Sequence, residues 1–113
     1  MDERPSKERA EVPEVAPVTI AGTRYEAIPW GKARGMGQNG GIIAAIDPAT
    51  GQELWTLKVY EVHYDPEKEG DTQDLFIARM VAEGAHHLRV EAERGRGIWI
   101  VDLDQRSAIK VDG

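Results

Sequence analysis

Residues 44–55 of this chain read AAIDPATGQELW and predict two strands joined by a tight turn. The first strand ends before Asp47, whose carboxylate can accept backbone N–H groups two or three residues further on. Pro48 fixes φ at the first turn position, and Gly51 can take the positive φ that other residues avoid. Trp55 then lies at the start of the return strand. The stretch therefore predicts a β-hairpin.

Short runs of β-type sequence lie on both sides of this hairpin. VTIAGTRYEAI, residues 18–28, predicts two strands around an Ala-Gly-Thr turn, and GIIAAID, residues 41–47, predicts a buried strand. Alternating apolar and polar residues predict further strands at 55–60, 88–93, 98–103 and 109–111. Short runs at near-regular spacing, with turn signals between them, are typical of an antiparallel meander.

Residues 73–83 fit two kinds of element. Their composition favours a helix, which Asp71 or Thr72 could cap. The apolar residues from Phe76 to Ala82 also repeat with a period of two, as in a strand, and the flanking elements look like strands. We therefore favour a strand for this segment.

Together these segments predict one all-β domain over residues 17–113. We expect an antiparallel meander of seven to eight short strands that forms a small barrel or a sandwich-like pair of sheets. Residues 1–16 alternate charges with prolines and contain only Val12 and Val15 as bulky hydrophobes. Because so little apolar area cannot offset the entropy of ordering, we expect a disordered tail there.

Composition argues against several classes of protein. The chain has 113 residues, a net charge of −6 and no cysteine, so it can form no disulfide or thiolate metal site. Residues 61–74 hold six carboxylates against one lysine, and such an acidic chain repels the phosphates of nucleic acids. No run has the length and apolar character of a signal or membrane segment. We therefore expect a cytoplasmic protein that binds neither nucleic acid nor membrane.

The hairpin resembles the blade repeat of quinoprotein-type (PQQ-like) β-propellers, with the pattern A-x-D-x-x-T-G-x-x-x-W. The matching residues are Ala45, Asp47, Thr50, Gly51, Glu53 and Trp55. The resemblance covers one strand–turn–strand unit and occurs once. It implies blade-like hairpins in which the tryptophan docks one unit against the next.

A propeller needs several blades of about forty residues, and this chain has room for at most two. Residues 74–111 contain four runs that could form a second blade-like meander, but they lack the D-x-x-T-G-x-x-x-W pattern. A quinone pocket is assembled from many blades, so we expect no cofactor. The body as a whole also resembles a family of small uncharacterised bacterial proteins.

GMGQNG, residues 35–40, matches the glycine pattern of a dinucleotide-binding loop. That site requires a strand before the loop and a helix after it, whose N-terminus holds the pyrophosphate. Here IIAAID follows and is broken by Pro48, so we interpret residues 31–41 as a flexible loop. The candidates for holding a small anion in or beside this loop are Trp30, Lys32, Arg34 and Asn39.

Two other patterns suggest metal sites in part. DPEKEGDTQDLF, residues 65–76, places oxygen donors at positions 1, 3, 5 and 7 of a calcium loop, but Phe76 replaces the glutamate expected at position 12. His86 and His87 would point to opposite faces of a strand, which disfavours a shared zinc ion. We therefore expect no metal site and assign no catalytic residue.

Two classes of function remain. A non-catalytic binding or accessory module would present strand edges and the glycine-rich loop to a protein partner. The alternative is a small-molecule or anion-binding protein, with or without catalytic activity, that uses the four candidates beside the loop. A rigid loop next to a concave pocket would favour the second class.

Overall fold

The computed structural model describes residues 12–67 and 73–112, and this part of the chain forms eight strands in two antiparallel sheets. The strands of the first sheet are β1 (Val18–Ile20), β2 (Thr23–Ile28), β3 (Ile42–Ile46) and β4 (Glu53–Lys58). Those of the second sheet are β5 (Ile77–Glu83), β6 (His87–Ala92), β7 (Ile98–Asp102) and β8 (Ser107–Asp112). Each sheet is a meander in which neighbours in sequence are neighbours in space.

The predicted all-β fold with its antiparallel meanders is confirmed. Of the two arrangements that the sequence allowed, the chain forms a pair of sheets and not a closed barrel. Of the segment 73–83, residues 77–83 form a strand, as favoured, and this strand pairs with β6 with one register shift between Ile77 and Arg79. Within the described ranges, no helix has the length and apolar composition needed to cross a membrane.

The predicted tail falls largely outside the described residues, which begin at residue 12. Residues 12–16 have no regular secondary structure, and Val15 packs against the core. The disorder of residues 1–11 stays a prediction.

One core lies between the two sheets, and most strands contribute alternate residues to it. In β6, for example, Leu88 and Val90 are fully buried, while Arg89 between them is half-buried. β5 instead contributes Ile77 and Met80, because its register shifts between Ile77 and Arg79. β3 differs, since all five of its residues are buried. Ile43 belongs to the shared core on one face of β3. On the other face, the side chain of Ile42 packs so closely against Gly31 that a Cβ on this glycine would overlap with it. β3 is therefore covered on both faces.

The turn between β3 and β4 forms as predicted. Oδ1 of Asp47 accepts a hydrogen bond from the Ala49 N–H at 2.9 Å, and the Gly51 N–H donates to the Asp47 carbonyl at 2.7 Å. Trp55 lies opposite Ala45 in the register, and its ring centroid is 6.0 Å from that of the Tyr25 ring on β2.

Gly51→Val should lower the free energy of unfolding by roughly 1–3 kcal/mol. Gly51 has a φ of 77°, and a Cβ there would meet no atom within 4 Å, so the cost is backbone strain alone. Chemical denaturation measures the change, with Gly51→Asn as the control because asparagine tolerates the left-handed region. Equal midpoints for Gly51→Val and the wild type would contradict the strain argument.

Candidate functional site

The glycine-rich loop, residues 31–41, connects β2 to β3 along a defined path. It begins with the 3₁₀ turn Gly31–Arg34, which ends at Gly35 in the left-handed region with a φ of 79°. The Gly31 N–H donates to the Asn39 carbonyl at 3.2 Å, and the Gly41 carbonyl accepts from Val59 at 2.7 Å. These bonds hold both ends of the loop, and its flexibility stays a prediction.

Gln38 anchors the centre of this loop. The residue is 1% exposed, and its side chain makes three hydrogen bonds. Nε2 donates to the carbonyls of Gly40 at 2.8 Å and Tyr60 at 2.7 Å, and Oε1 accepts from the Val62 N–H at 2.9 Å. A glutamine in a glycine-rich stretch carries no sequence signal for such burial, so this residue was not predicted.

Asn39 faces inward as well. Its Nδ2 donates to Oδ2 of Asp74 at 3.1 Å, and its Oδ1 accepts from the Lys32 N–H at 3.1 Å. Asp74 is 1% exposed and also accepts a hydrogen bond from the Tyr64 hydroxyl at 2.5 Å. We name Gln38, Asn39, Tyr64 and Asp74 the polar junction. It joins the loop to the segments after β4 and before β5.

The other three predicted anion ligands contact three different neighbours. Nζ of Lys32 lies 4.1 Å from the centroid of the Tyr64 ring. Trp30 is 52% exposed, and its ring meets the Phe76 ring edge-on at 5.9 Å. Arg34 forms a two-pronged ion pair with Glu53 of β4, one bond of which measures 2.9 Å.

Glu53 neutralises the charge of Arg34 by forming an ion pair with it. The hydrogen bond from Arg34 holds the pKa of the Glu53 carboxyl below its usual value, and the same bond raises the pKa of Arg34. Both side chains are largely exposed, so the pair contributes little to stability. Of the four predicted ligands, Arg34 is paired with Glu53 and Asn39 is bonded to Asp74. Among the described residues, Trp30 and Lys32 are exposed and have no carboxylate partner.

Alkaline titration should report on the polar junction. Burial, and then the hydrogen bond to Asp74, raises the pKa of Tyr64 to about 12, and burial also raises the pKa values of Tyr60 and Tyr25. A tyrosine with a raised folded-state pKa stabilises the fold below its unfolded value of 10.0, and this stability is lost as pH rises through the folded value. We therefore expect native tyrosinate absorbance to rise only above about pH 10, and the denaturation midpoint to fall from there towards pH 12.

Tyr64→Phe is the control, since it should remove the tyrosinate absorbance that Tyr64 contributes and the loss of stability that follows its ionisation. Native protein in which all three tyrosines ionise at pH 10 would contradict the burial and bonding described for them.

The resemblance to a calcium loop can be followed in part. Asp65 and Glu67 are exposed, and Oδ1 of Asp65 accepts a hydrogen bond from the Glu67 N–H at 2.9 Å. Residues 68–72, which include two further predicted oxygen donors, lie outside the described residues. Phe76, at the position of the missing glutamate, is 2% exposed and belongs to the interior.

The two adjacent histidines contact different carboxylates. Nδ1 of His86 lies 3.0 Å from Oδ2 of Asp104, whereas Nε2 of His87 lies 3.9 Å from Oδ2 of Asp102. In the described parts of the chain, no three His, Cys, Asp or Glu side chains come close enough together to hold a metal ion.

An exposed aliphatic surface lies on β7 and β8. β8 is the last strand of its sheet, and β7 is its one described neighbour. Ile109 is 66% exposed and lies opposite Ile100 in the register. Val111 is 50% exposed and lies where the register shifts, since Lys110 pairs with Trp99 and Asp112 with Ile98. Ile98 precedes Ile100 by two residues and shares its face. We name these four residues the β7–β8 patch.

Lys110, at the centre of β8, is exposed, and its Nζ lies 5.6 Å from the centroid of the Trp99 ring. A lysine on an edge strand commonly opposes pairing with other chains, and this contact draws its charge towards the ring. A signal for the patch was present in the sequence, because both faces of β7 are apolar.

Comparison of the chain with protein-family models, with curated proteins and with solved structures found no match.

Proposed function

We propose that this chain is a non-catalytic protein-interaction module that binds its partner through the free edge of β8 and the β7–β8 patch. The observation that carries the proposal is the 66% exposure of Ile109 on an edge strand. An edge strand offers a row of N–H and C=O groups, and natural proteins protect such edges when they remain monomeric.

The chemistry of the surface defines the partner. An extended segment that adds to the edge of β8 would gain main-chain hydrogen bonds, and apolar side chains on one of its faces would cover the patch. The adjoining strand β6 contributes Arg89 and Glu91, which form an ion pair at 3.0 Å and so present little net charge. The partner is therefore a largely apolar strand and not a highly charged peptide.

The alternative function, an anion- or small-molecule-binding protein built on Trp30, Lys32, Arg34 and Asn39, has less support. Arg34 pairs with Glu53, and the side chain of Asn39 bonds to Asp74. A ligand at this loop would have to displace Glu53 from Arg34 and Asp74 from Asn39.

The partner test compares two matched variants. Ile109→Asp and Leu54→Asp each place a carboxylate at an exposed aliphatic side chain of an edge strand, but Leu54 lies on β4 of the other sheet. The tagged chain is expressed in the cytoplasm, the compartment we propose for a chain without cysteine. Quantitative affinity purification should recover a protein that the wild type and Leu54→Asp retain and Ile109→Asp loses.

The recovered protein is then purified and its affinity measured, and Ile109→Asp should weaken binding at least about tenfold. Size-exclusion chromatography with light scattering shows whether the partner is instead a second copy of this chain. Equal recovery of every protein by Ile109→Asp and the wild type, with unchanged oligomeric state, would contradict the proposal.

We further propose that the two sheets are blade-like units that dock through Trp55, as the resemblance to quinoprotein-type propellers implies. Two observations support this. Each sheet is a four-stranded antiparallel meander, and the guanidinium carbon of Arg106, in the turn between β7 and β8, lies 4.9 Å from the centroid of the Trp55 ring. The tryptophan of the first sheet thus contacts the second.

Trp55→Ala should lower the free energy of unfolding by about 2 kcal/mol, less than a fully buried tryptophan, because its ring is partly exposed. A double-mutant cycle with Arg106→Ala should give a coupling energy of about 0.5–1 kcal/mol across the two sheets. A Trp55→Ala midpoint equal to that of the wild type, or zero coupling, would count against docking through this ring.

A further inference from the structure

We propose that a cleft on this chain, separate from the β7–β8 patch, binds a small ligand that carries an oxyanion. The cleft has a volume of about 390 Å³, within the range of small-molecule sites. Three segments line it: residues 61–63 after β4, residues 73–75 before β5 and residues 94–96 after β6. It therefore lies where the two sheets are connected.

Arg94 lies at one wall of the cleft, with its side chain 54% exposed. Its Nη2 donates to the Asp74 carbonyl at 3.3 Å and to Oε2 of Glu93 at 3.5 Å. Both contacts use the same nitrogen, and in the described parts of the chain Nε and Nη1 make no hydrogen bond, so their N–H groups can bind a ligand.

The backbone of Arg94 supports the same assignment. This residue has a φ of 59° and a ψ of 26°, in the left-handed region that costs an L-residue about 1–2 kcal/mol. Glycines follow at 95 and 97, also with positive φ, so the chain makes a tight turn at 94–97. Strained backbone persists where the surrounding structure holds it, and it is concentrated at ligand sites.

The charge in the cleft is positive and partly uncompensated. Arg96 is exposed and has no carboxylate within ion-pair distance in the parts of the chain that the structure describes. His63 adds an imidazole ring to the lining of the cleft. Glu61 is the carboxylate of the lining, and Nζ of Lys58 lies 3.4 Å from it. Arg94 is paired with Glu93 and Glu61 with Lys58, so among the described residues the charge of Arg96 is the one left for an anion in the cleft.

The shape of the lining defines the rest of the ligand. Val62 and Leu75 are half-buried and contribute apolar surface beside the arginines. The planar guanidinium fork matches both carboxylate and phosphate oxygens. The ligand class is thus a small molecule with one phosphate or carboxylate group on a compact apolar body.

The test uses phenyl phosphate and benzoate as probes, because they share an apolar ring and differ in the oxyanion. Each is titrated into the isotope-labelled chain at constant ionic strength and followed by amide chemical shifts. We expect saturable shifts at residues 61–63 and 94–97 that an equivalent addition of sodium chloride does not produce. The probe that saturates identifies phosphate or carboxylate as the preferred group.

Arg96→Gln should weaken this binding at least about tenfold, the effect of losing a hydrogen bond to a charged group. Arg79→Gln is the control, since Arg79 is an exposed arginine on β5 that pairs with Glu91 outside the cleft. Denaturation curves confirm that both variants fold. Shifts that sodium chloride reproduces, failure of both probes to saturate, or wild-type affinity in Arg96→Gln would overturn the proposal.

Discussion

Gln38→Leu should lower the free energy of unfolding by roughly 3–5 kcal/mol. The substitution keeps the side chain's bulk but removes its three hydrogen bonds, and it leaves the carbonyls of Gly40 and Tyr60 and the N–H of Val62 without partners. Each buried backbone group that loses its partner costs about 1–3 kcal/mol. The residue is 1% exposed, so solvent cannot replace these bonds without a local opening of the loop.

Gln105→Leu is the matched control, since Gln105 is exposed in the turn between β7 and β8. The same change in chemistry there should alter stability by less than about 0.5 kcal/mol. Both variants are compared by chemical denaturation with circular dichroism. A Gln38→Leu midpoint close to that of the control would show that the glycine-rich loop does not depend on this anchor.

Phe76→Ala should lower the free energy of unfolding by about 3–5 kcal/mol, the usual cost of removing a buried aromatic ring. Phe76 is the largest of the fully buried side chains and is 2% exposed. Its backbone also bonds twice to Glu93, with its N–H donating to Oε2 at 3.0 Å and its carbonyl accepting from the Glu93 N–H at 3.0 Å. A cavity at this position would therefore loosen the connection between the start of β5 and the end of β6.

The ring of Trp30 provides a local readout for this variant, because it meets the Phe76 ring edge-on. Its emission should shift to longer wavelength in Phe76→Ala under native conditions, once Trp55 and Trp99 have been replaced by phenylalanine in both proteins. Leu54→Ala, at a side chain that is 50% exposed, should cost well under 1 kcal/mol. Equal midpoints for Phe76→Ala and Leu54→Ala would contradict the assignment of Phe76 to the core.

The local structure of the hairpin could be predicted because its determinants are close together in the chain. Asp47 and Gly51 lie four residues apart in one tight turn. As expected, the Asp47 carboxylate accepts a backbone hydrogen bond and Gly51 has a positive φ. The strand at 77–83 was harder to predict because its composition fits a helix. Pairing with β6, which depends on residues further along the chain, made the strand the stable choice.

The candidate site depended more on tertiary structure. Arg34 and Glu53 are 19 positions apart, and Asn39 and Asp74 are 35 apart, so no local pattern reveals that these predicted ligands already have partners. The burial of Gln38 is likewise a consequence of the segment after β4 passing beside the loop.

The amino-acid sequence by itself determined that this protein is all-β, that its strands follow one another as meanders, and where its main turn lies. Periodicity and turn chemistry act over a few residues, so they are readable without the fold. Only the tertiary structure decided that the strands divide into two sheets, that β8 is the last described strand of its sheet with Ile109 exposed, and that Arg94 and Arg96 line a cleft with residues from two other segments. Those features arise from contacts between residues far apart in the chain, whose pairing is selected by the burial of the whole core.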